Sequence, residues 1–181
     1  MNTYPGVSDA VVDDSDLAPD TGRPFSRTHS LRFGIGFFSF GLLWIVGLMI
    51  VAAVLLPQRL TDIGVASPEA LFGTINAITA VVSLVSNLVF GNLSDRTRGR
   101  FGRRAPWILA GAVIGGVSLT LVGVLDNPVL LTISYCLSMV GLNMMLAPAV
   151  AVLADRVPMR LRGTMSAYYG AGVAAGAPLG S

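Results

Sequence analysis

Long stretches almost free of polar side chains alternate along this chain with short stretches where charge gathers. About 20 apolar residues, each adding ~1.5 Å as a helix, cross a hydrocarbon core of ~30 Å. Five stretches are read as helices of this kind, at about 33–56, 71–93, 106–125, 129–154 and 163–181. Local punctuation supports the boundaries. Pro57 is expected to end the first helix, because an interior proline loses a hydrogen bond and clashes with the preceding turn. Ser67-Pro68-Glu69 reads as cap, proline and acid at the start of the second. Asp126-Asn127-Pro128 makes a tight turn between the third and fourth, and Pro148 is expected to kink the fourth. Residues 1–32 hold few large apolar residues, with Pro5, Pro19 and Pro24 among acids, so a disordered tail is expected there. The predicted fold is all-α: a tail over 1–32 and a transmembrane bundle over 33–181.

Composition sharpens this. The chain is 53% hydrophobic and 12% charged, against roughly 25% charged in soluble domains. So little polar surface cannot cover a water-soluble globule of 181 residues. The basic residues are all arginine, and they fall unevenly about the helices. Arg23, Arg27 and Arg32 precede the first; Arg96, Arg98, Arg100, Arg103 and Arg104 lie between the second and third; Arg156, Arg160 and Arg162 lie between the fourth and fifth. Only Arg59 falls on the other side. The positive-inside rule then predicts a multi-pass protein of the plasma membrane with a cytoplasmic N-terminus. The polar, acidic start, from Asp9 to Asp20, does not read as a cleavable signal.

The five apolar stretches contain no Asp, Glu, Lys, Arg or His. Such a group costs roughly 2.5–3.5 kcal/mol at a helix centre, so its presence usually signals function. A coupling cation, H+ or Na+, is therefore expected to bind outside this segment. Cys136 is alone, and no ligand set for a metal or cofactor is visible. The reading is a non-enzyme whose partners are the bilayer and a small solute, with no role for nucleic acid.

Neutral polar residues have two readings. Asn76, Thr79, Ser83 and Ser86/Asn87 recur at spacings of three and four, forming one stripe on the second helix. It either lines a path for a polar solute or hydrogen-bonds to a neighbouring helix. Ser134, Ser138 and Asn143 form a looser set on the fourth helix, near Tyr135. Trp44, at mid-membrane depth, could stack on a sugar ring or fill the core. Gly111 and Gly115, and Gly172, Gly176 and Gly180, are spaced to let helices approach closely.

Asp95 stands at the C-terminal end of the second helix, where the helix dipole disfavours an anion. It needs a partner, either an arginine or the N-terminus of another helix. Asp155-Arg156 repeats the arrangement after the fourth helix.

These residues resemble the signature of the major facilitator superfamily, which places G-x-x-x-D-R-x-G-R-[RK] between helices 2 and 3. Gly91, Asp95 and Arg96 match, while Gly99-Arg100 is displaced by one residue. The longer run from Ser94 through Arg98, Arg100, Gly102, Arg103 and Arg104 to Pro106-Trp107-Ile108-Leu109 resembles the glycoside–pentoside–hexuronide branch, which includes melibiose and sucrose carriers. Asp155-Arg156, Pro158 and Arg162-Gly163-Thr164 resemble the same branch between helices 4 and 5. The resemblance implies alternating access between two six-helix bundles, with the substrate near mid-membrane. It implies a gate in which Asp95 pairs across to the other bundle while Arg96, Arg100 and Arg104 anchor the network. It makes Trp44, Asn76, Ser83 and Asn143 lining candidates beside Thr79 and Asn87 of the stripe. The expected function is transport of a sugar or glycoside by the N-terminal part of such a carrier. The alternative is a non-transporting truncated fragment, or a half-transporter that needs a partner chain to supply the missing C-terminal bundle. A drug–proton antiporter is disfavoured by the lack of intramembrane charge.

Overall fold

The computed structural model describes residues 17–19, 21–22, 25–97 and 104–180. Among these the chain is almost wholly helical and forms no sheet. Its helices are α1 (Arg27–Met49), α2 (Leu56–Asp62), α3 (Pro68–Arg96), α4 (Ala105–Val124), α5 (Pro128–Arg156) and α6 (Met159–Gly176). A π-helical segment, Ile50–Leu55, joins α1 to α2, and a 3-10 turn, Ala177–Leu179, follows α6. Among the described residues four lengths of helix are long and apolar enough to cross a membrane: Arg27–Asp62, Pro68–Arg96, Ala105–Val124 and Pro128–Arg156. The fifth, α6, has 18 residues and carries two arginines in its first turn among many glycines and alanines. It reaches alongside α1 for most of its length.

Several boundaries differ from the sequence expectation, each for a local reason. The first helix begins at Arg27, inside the stretch expected to be tail. Ser26 caps it by accepting from the His29 backbone N–H at 3.2 Å, and the Phe25 ring lies edge-on to Phe33. Pro57 does not end the span. The backbone widens before it, with the Leu56 N–H reaching back five residues to the Val51 carbonyl. That wider turn spares the proline ring the usual clash four residues back, and the helix runs on to Asp62. It stops at Gly64, whose φ of 71° suits glycine. Gly64 N–H bonds to Thr61 O and Val65 N–H to Leu60 O, a pattern that satisfies the last carbonyls. α5 passes Pro148 without interruption. α6 starts at Met159, after Pro158, so Gly163 lies inside the helix rather than at its start.

Packing divides the bundle. α5 packs against both α3 and α4, and α1 packs against α6. The α4–α5 contact closes at Gly111 and Gly115 against Gly141. Along α1 and α6 the contacts advance one turn at a time: Gly34 with Tyr168, Phe38 with Gly172, Leu42 with Gly176, Val46 with Gly180. The two chain segments therefore run parallel and in close contact over these turns. The main buried cluster holds Val51, Leu56, Leu60, Ile75, Val122, Leu131, Tyr135, Met139 and Leu142, with Trp44 and Leu48 against it. Facing outward are apolar side chains that suit lipid, among them Val81, Leu84, Val85 and Leu88 on α3.

Candidate functional site

The helix order places the ends of α3 and α5 and the starts of α4 and α6 together, at the arginine-rich end of the bundle. Asp95 lies in the last turn of α3, and Asp155 in the last turn of α5. Both sit where exposed carbonyls already carry partial negative charge. Arg104, the residue before the first turn of α4, answers both. Its Nη2 lies 2.9 Å from Asp95 Oδ1, and its Nε donates to Asp155 Oδ2 at 2.5 Å. Its Nη1 donates to Ser94 Oγ at 3.2 Å, and that hydroxyl donates to the Gly91 carbonyl. One guanidinium thus ties three helices, using the planar fork that suits arginine and not lysine.

Burial grades the cluster. The Arg104 side chain is 10% exposed, Asp155 29% and Asp95 59%. Burial works to lower the Arg104 pKa, but the hydrogen bond and charge of Asp155 and then Asp95 outweigh it and raise the pKa above its ordinary value. Arg104 is therefore a fixed cation, and Asp95 keeps an outward-facing side while bonded to it.

Neighbouring contacts hold the loop ends. Trp107 Nε1 donates to Thr97 Oγ1 at 2.8 Å, and the Phe90 and Trp107 rings lie 5.8 Å apart. Arg162, from α6, donates through Nε to the Val157 carbonyl and through Nη2 to the Ala154 carbonyl. It serves the bare carbonyls that end α5. Arg96 is the last residue of α3 and is exposed, and Arg156 closes α5. A methyl group added at Gly91 would make only ordinary contact with Ala147, and one at Gly163 would meet nothing. The expectations for Arg98, Gly99, Arg100, Gly102 and Arg103 lie outside the described residues.

The resemblance implied a partner for Asp95 across a second bundle; here its ion pair is with Arg104 in the same one. Sequence reading anticipated an arginine or a helix N-terminus as the partner, and Arg104 is both. It did not anticipate that Asp155 would share that arginine. The repeated Asp-Arg after two helix ends was the available signal.

The opposite end carries a second tie. Arg59 Nη2, from α2, donates to the Leu125 carbonyl at 2.9 Å and to Asp126 Oδ1 at 2.8 Å. It caps α4 and pins the α4–α5 turn, while its buried Nε makes no hydrogen bond. Sequence reading gave Arg59 no role beyond topology.

The polar stripe of α3 turns toward α5. Asn87 Nδ2 donates to Asn143 Oδ1 at 3.3 Å, and Asn143 is itself buried and donates to the Met139 carbonyl. Thr79 is buried and bonds back to Ile75 and Asn76 carbonyls, and the Asn76 amide donates to Phe72. Ser83 is half-buried on the same face. Trp44 packs against the main cluster with Nε1 buried and unbonded. The structure thus brings Asn87 and Asn143 together, and sets Trp44 of α1 against the main cluster.

Comparison with known proteins agrees with this architecture. Residues 32–181 match the family model described as Major Facilitator Superfamily. A stretch of 54 residues is 43% identical to an uncharacterized symporter of Synechocystis sp. (strain ATCC 27184 / PCC 6803 / Kazusa). That stretch is 30% of this chain and 10% of the relative's length. No solved structure matches. A helical, membrane-spanning chain matched from residue 32 to its last residue belongs to the major facilitator superfamily, a family of membrane transporters.

Proposed function

We propose that this chain is part of a carrier that moves a small polar solute, a sugar or glycoside, across the plasma membrane by alternating access. The arginine-rich end is its cytoplasmic side. The observation that carries the reading is the Arg104 tie between Asp95 and Asp155, which leaves Asp95 exposed enough to engage a second body. Its gate comprises Gly91, Asp95, Arg96, Arg100, Gly102, Arg103, Arg104, Asp155, Arg156, Arg162 and Gly163. Within that set Arg104 holds the acids and Arg162 secures α5 to α6. The solute class rests on the resemblance to glycoside carriers, and coupling to H+ or Na+ is supported by the matched relative's description as a symporter. Among lining candidates Trp44 has the strongest support, since its buried indole N–H makes no hydrogen bond among the described residues. Asn76, Thr79 and the Asn87–Asn143 pair spend hydrogen bonds internally. Ser83 faces the same interface.

Uptake of radiolabelled melibiose and sucrose tests this in the intact carrier. Asp95→Asn should lower uptake about tenfold or more, the scale of one charge-assisted hydrogen bond, with membrane insertion unchanged. Uptake equal to the parent would remove Asp95 from the gate. A second reading, a half-transporter that needs a partner chain, is favoured by the outward apolar row Val81, Leu84, Val85 and Leu88, which ends about two helical turns before Asp95. Crosslinking in membranes separates the two: an obligate partner gives a fixed heteromer, and lipid alone gives none.

A further inference from the structure

The first span is anchored in two different ways along its length. Its first part, α1, is locked turn by turn onto α6 through Gly34, Gly172, Gly176 and Gly180. Its last part, α2, belongs to the other group of helices. Leu56 and Leu60 are fully buried with Ile75, Val122 and Leu131 from α3, α4 and α5. Arg59 adds the polar tie to Leu125 and Asp126. Between these two lengths the backbone is not α-helical. It is the π segment Ile50–Leu55, closed by the Leu56 N–H to Val51 O bond.

The position of that segment has physical consequences. A π turn holds one residue more than an α turn, is rarely sustained inside an α-helix, and such turns concentrate at functional sites. Pro57, just beyond it, has no N–H to give to the turn before. The span is therefore least well bonded where its anchorage changes from one body to the other. Only a short turn, Val157 and Pro158, makes the second covalent link between the bodies, joining α5 to α6. There Val157 is buried against Phe37 and Met165, and Arg162 holds both sides. Direct packing between α5 and α6 is slight beside that of α1 on α6 or α3 on α5. What lies across the seam is side chain: Trp44 and Leu48 of α1 against the main cluster.

We propose that the π segment is a hinge inside this bundle. The α1–α6 pair swings about it as one body against the α3–α4–α5 layer, with the α5–α6 turn as the fixed point at the arginine-rich end. The swing opens or closes the seam at Trp44. This movement is separate from any rocking of one whole bundle against another, and it holds whether or not the solute is a sugar.

Because the π turn carries one extra residue, deleting the exposed Ala53 returns the span to α geometry and leaves Leu56 to Asp62 in place. The test is distance measurement between spin labels on the full chain in lipid vesicles, with Cys136→Ala to clear the native thiol. One pair, Ala80→Cys on α3 and Ala167→Cys on α6, spans the seam; another, Leu84→Cys on α3 and Val117→Cys on α4, lies within the layer. All four positions are exposed. The expected result is a broad or two-peaked distribution across the seam, a narrow one within the layer, and a seam distribution that narrows to match once Ala53 is removed. A short bis-maleimide should bridge an unlabelled Arg59→Cys, Asp126→Cys pair with and without Ala53, because the arginine side chain spans that gap in the parent chain, showing that α2 has kept its place. A seam distribution as narrow as the layer's in the parent chain overturns the hinge, and that comparison decides alone if the deletion fails to insert. A seam that stays broad after deletion, with the crosslink intact, overturns it equally.

Discussion

Arg104 sits where two helix C-termini and one helix N-terminus meet, a poor place for a carboxylate and a serviceable one for a guanidinium bonded to two of them. Its own N-terminal position is unfavourable for a cation, so the site holds only because Asp95 and Asp155 are both there. Removing the arginine strands both acids beside carbonyls. Arg104→Gln should lower stability by about 2–3 kcal/mol, short of the loss for a fully buried pair because Asp95 is largely in solvent. Thermal unfolding in detergent would read this. Arg104→Lys should recover only part, since one ammonium cannot face both acids and Ser94 as the planar fork does. The arginine's own titration adds no pH dependence near neutrality. Its folded pKa is raised, so its contribution is complete below the ordinary arginine value and would fade only at higher pH.

At the scale of helices, glycine spacing marks where backbones touch, and the marks differ in weight. A side chain at Gly172 would run into the Phe38 carbonyl, while one at Gly163 would stand in open space. Gly172→Val should cost about 1–3 kcal/mol by overpacking and loosen α6 from α1. Gly163→Ala should gain up to ~1 kcal/mol from helix propensity. Comparing the two in the same unfolding assay separates packing from propensity; a loss at Gly163 would mean that its role lies with a body outside these helices. Gly172, Gly176 and Gly180 were legible in the sequence because their spacing is periodic. Gly141, which closes the α4–α5 contact, has no such partner in its own helix and could not be singled out. The same divide runs through the boundaries. Apolar length and the Ser67-Pro68 and Asn127-Pro128 starts located α3 and α5. Pro57 misled, because its local cost is fixed but the backbone can widen ahead of it when burial of Leu56 and Leu60 rewards continuing. The stop at Gly64 was readable, and Pro57 masked it. In the site, the need of Asp95 for a positive partner followed from the helix dipole, whereas the sharing of one arginine with Asp155 depends on three helices meeting and is written in no single stretch.

For the whole molecule the remaining question is which end faces the cytoplasm, and the two ion-pair ties make it answerable. The arginine-rich end holds Thr97 and Thr164, and the other end holds Asp126, which is well exposed while paired to Arg59. Arginine flanks are retained on the cytoplasmic side during insertion, and this bias counts most in short loops near helix ends, where these arginines lie. With Cys136→Ala as background, Asp126→Cys should react with a membrane-impermeant maleimide on intact cells. Thr97→Cys and Thr164→Cys should react only after permeabilisation. The reverse pattern would invert the protein and with it the side of the proposed Asp95 gate. Labelling of Asp126→Cys should also quicken when Arg59→Gln is added, because the turn then loses the Arg59 bond to the Leu125 carbonyl and keeps the bonds of Asn127 to the Val129 and Leu130 N–H groups. If orientation holds and that rate does not change, the turn is rigid without its arginine, and the α2 anchor of the proposed hinge would rest on Leu56 and Leu60.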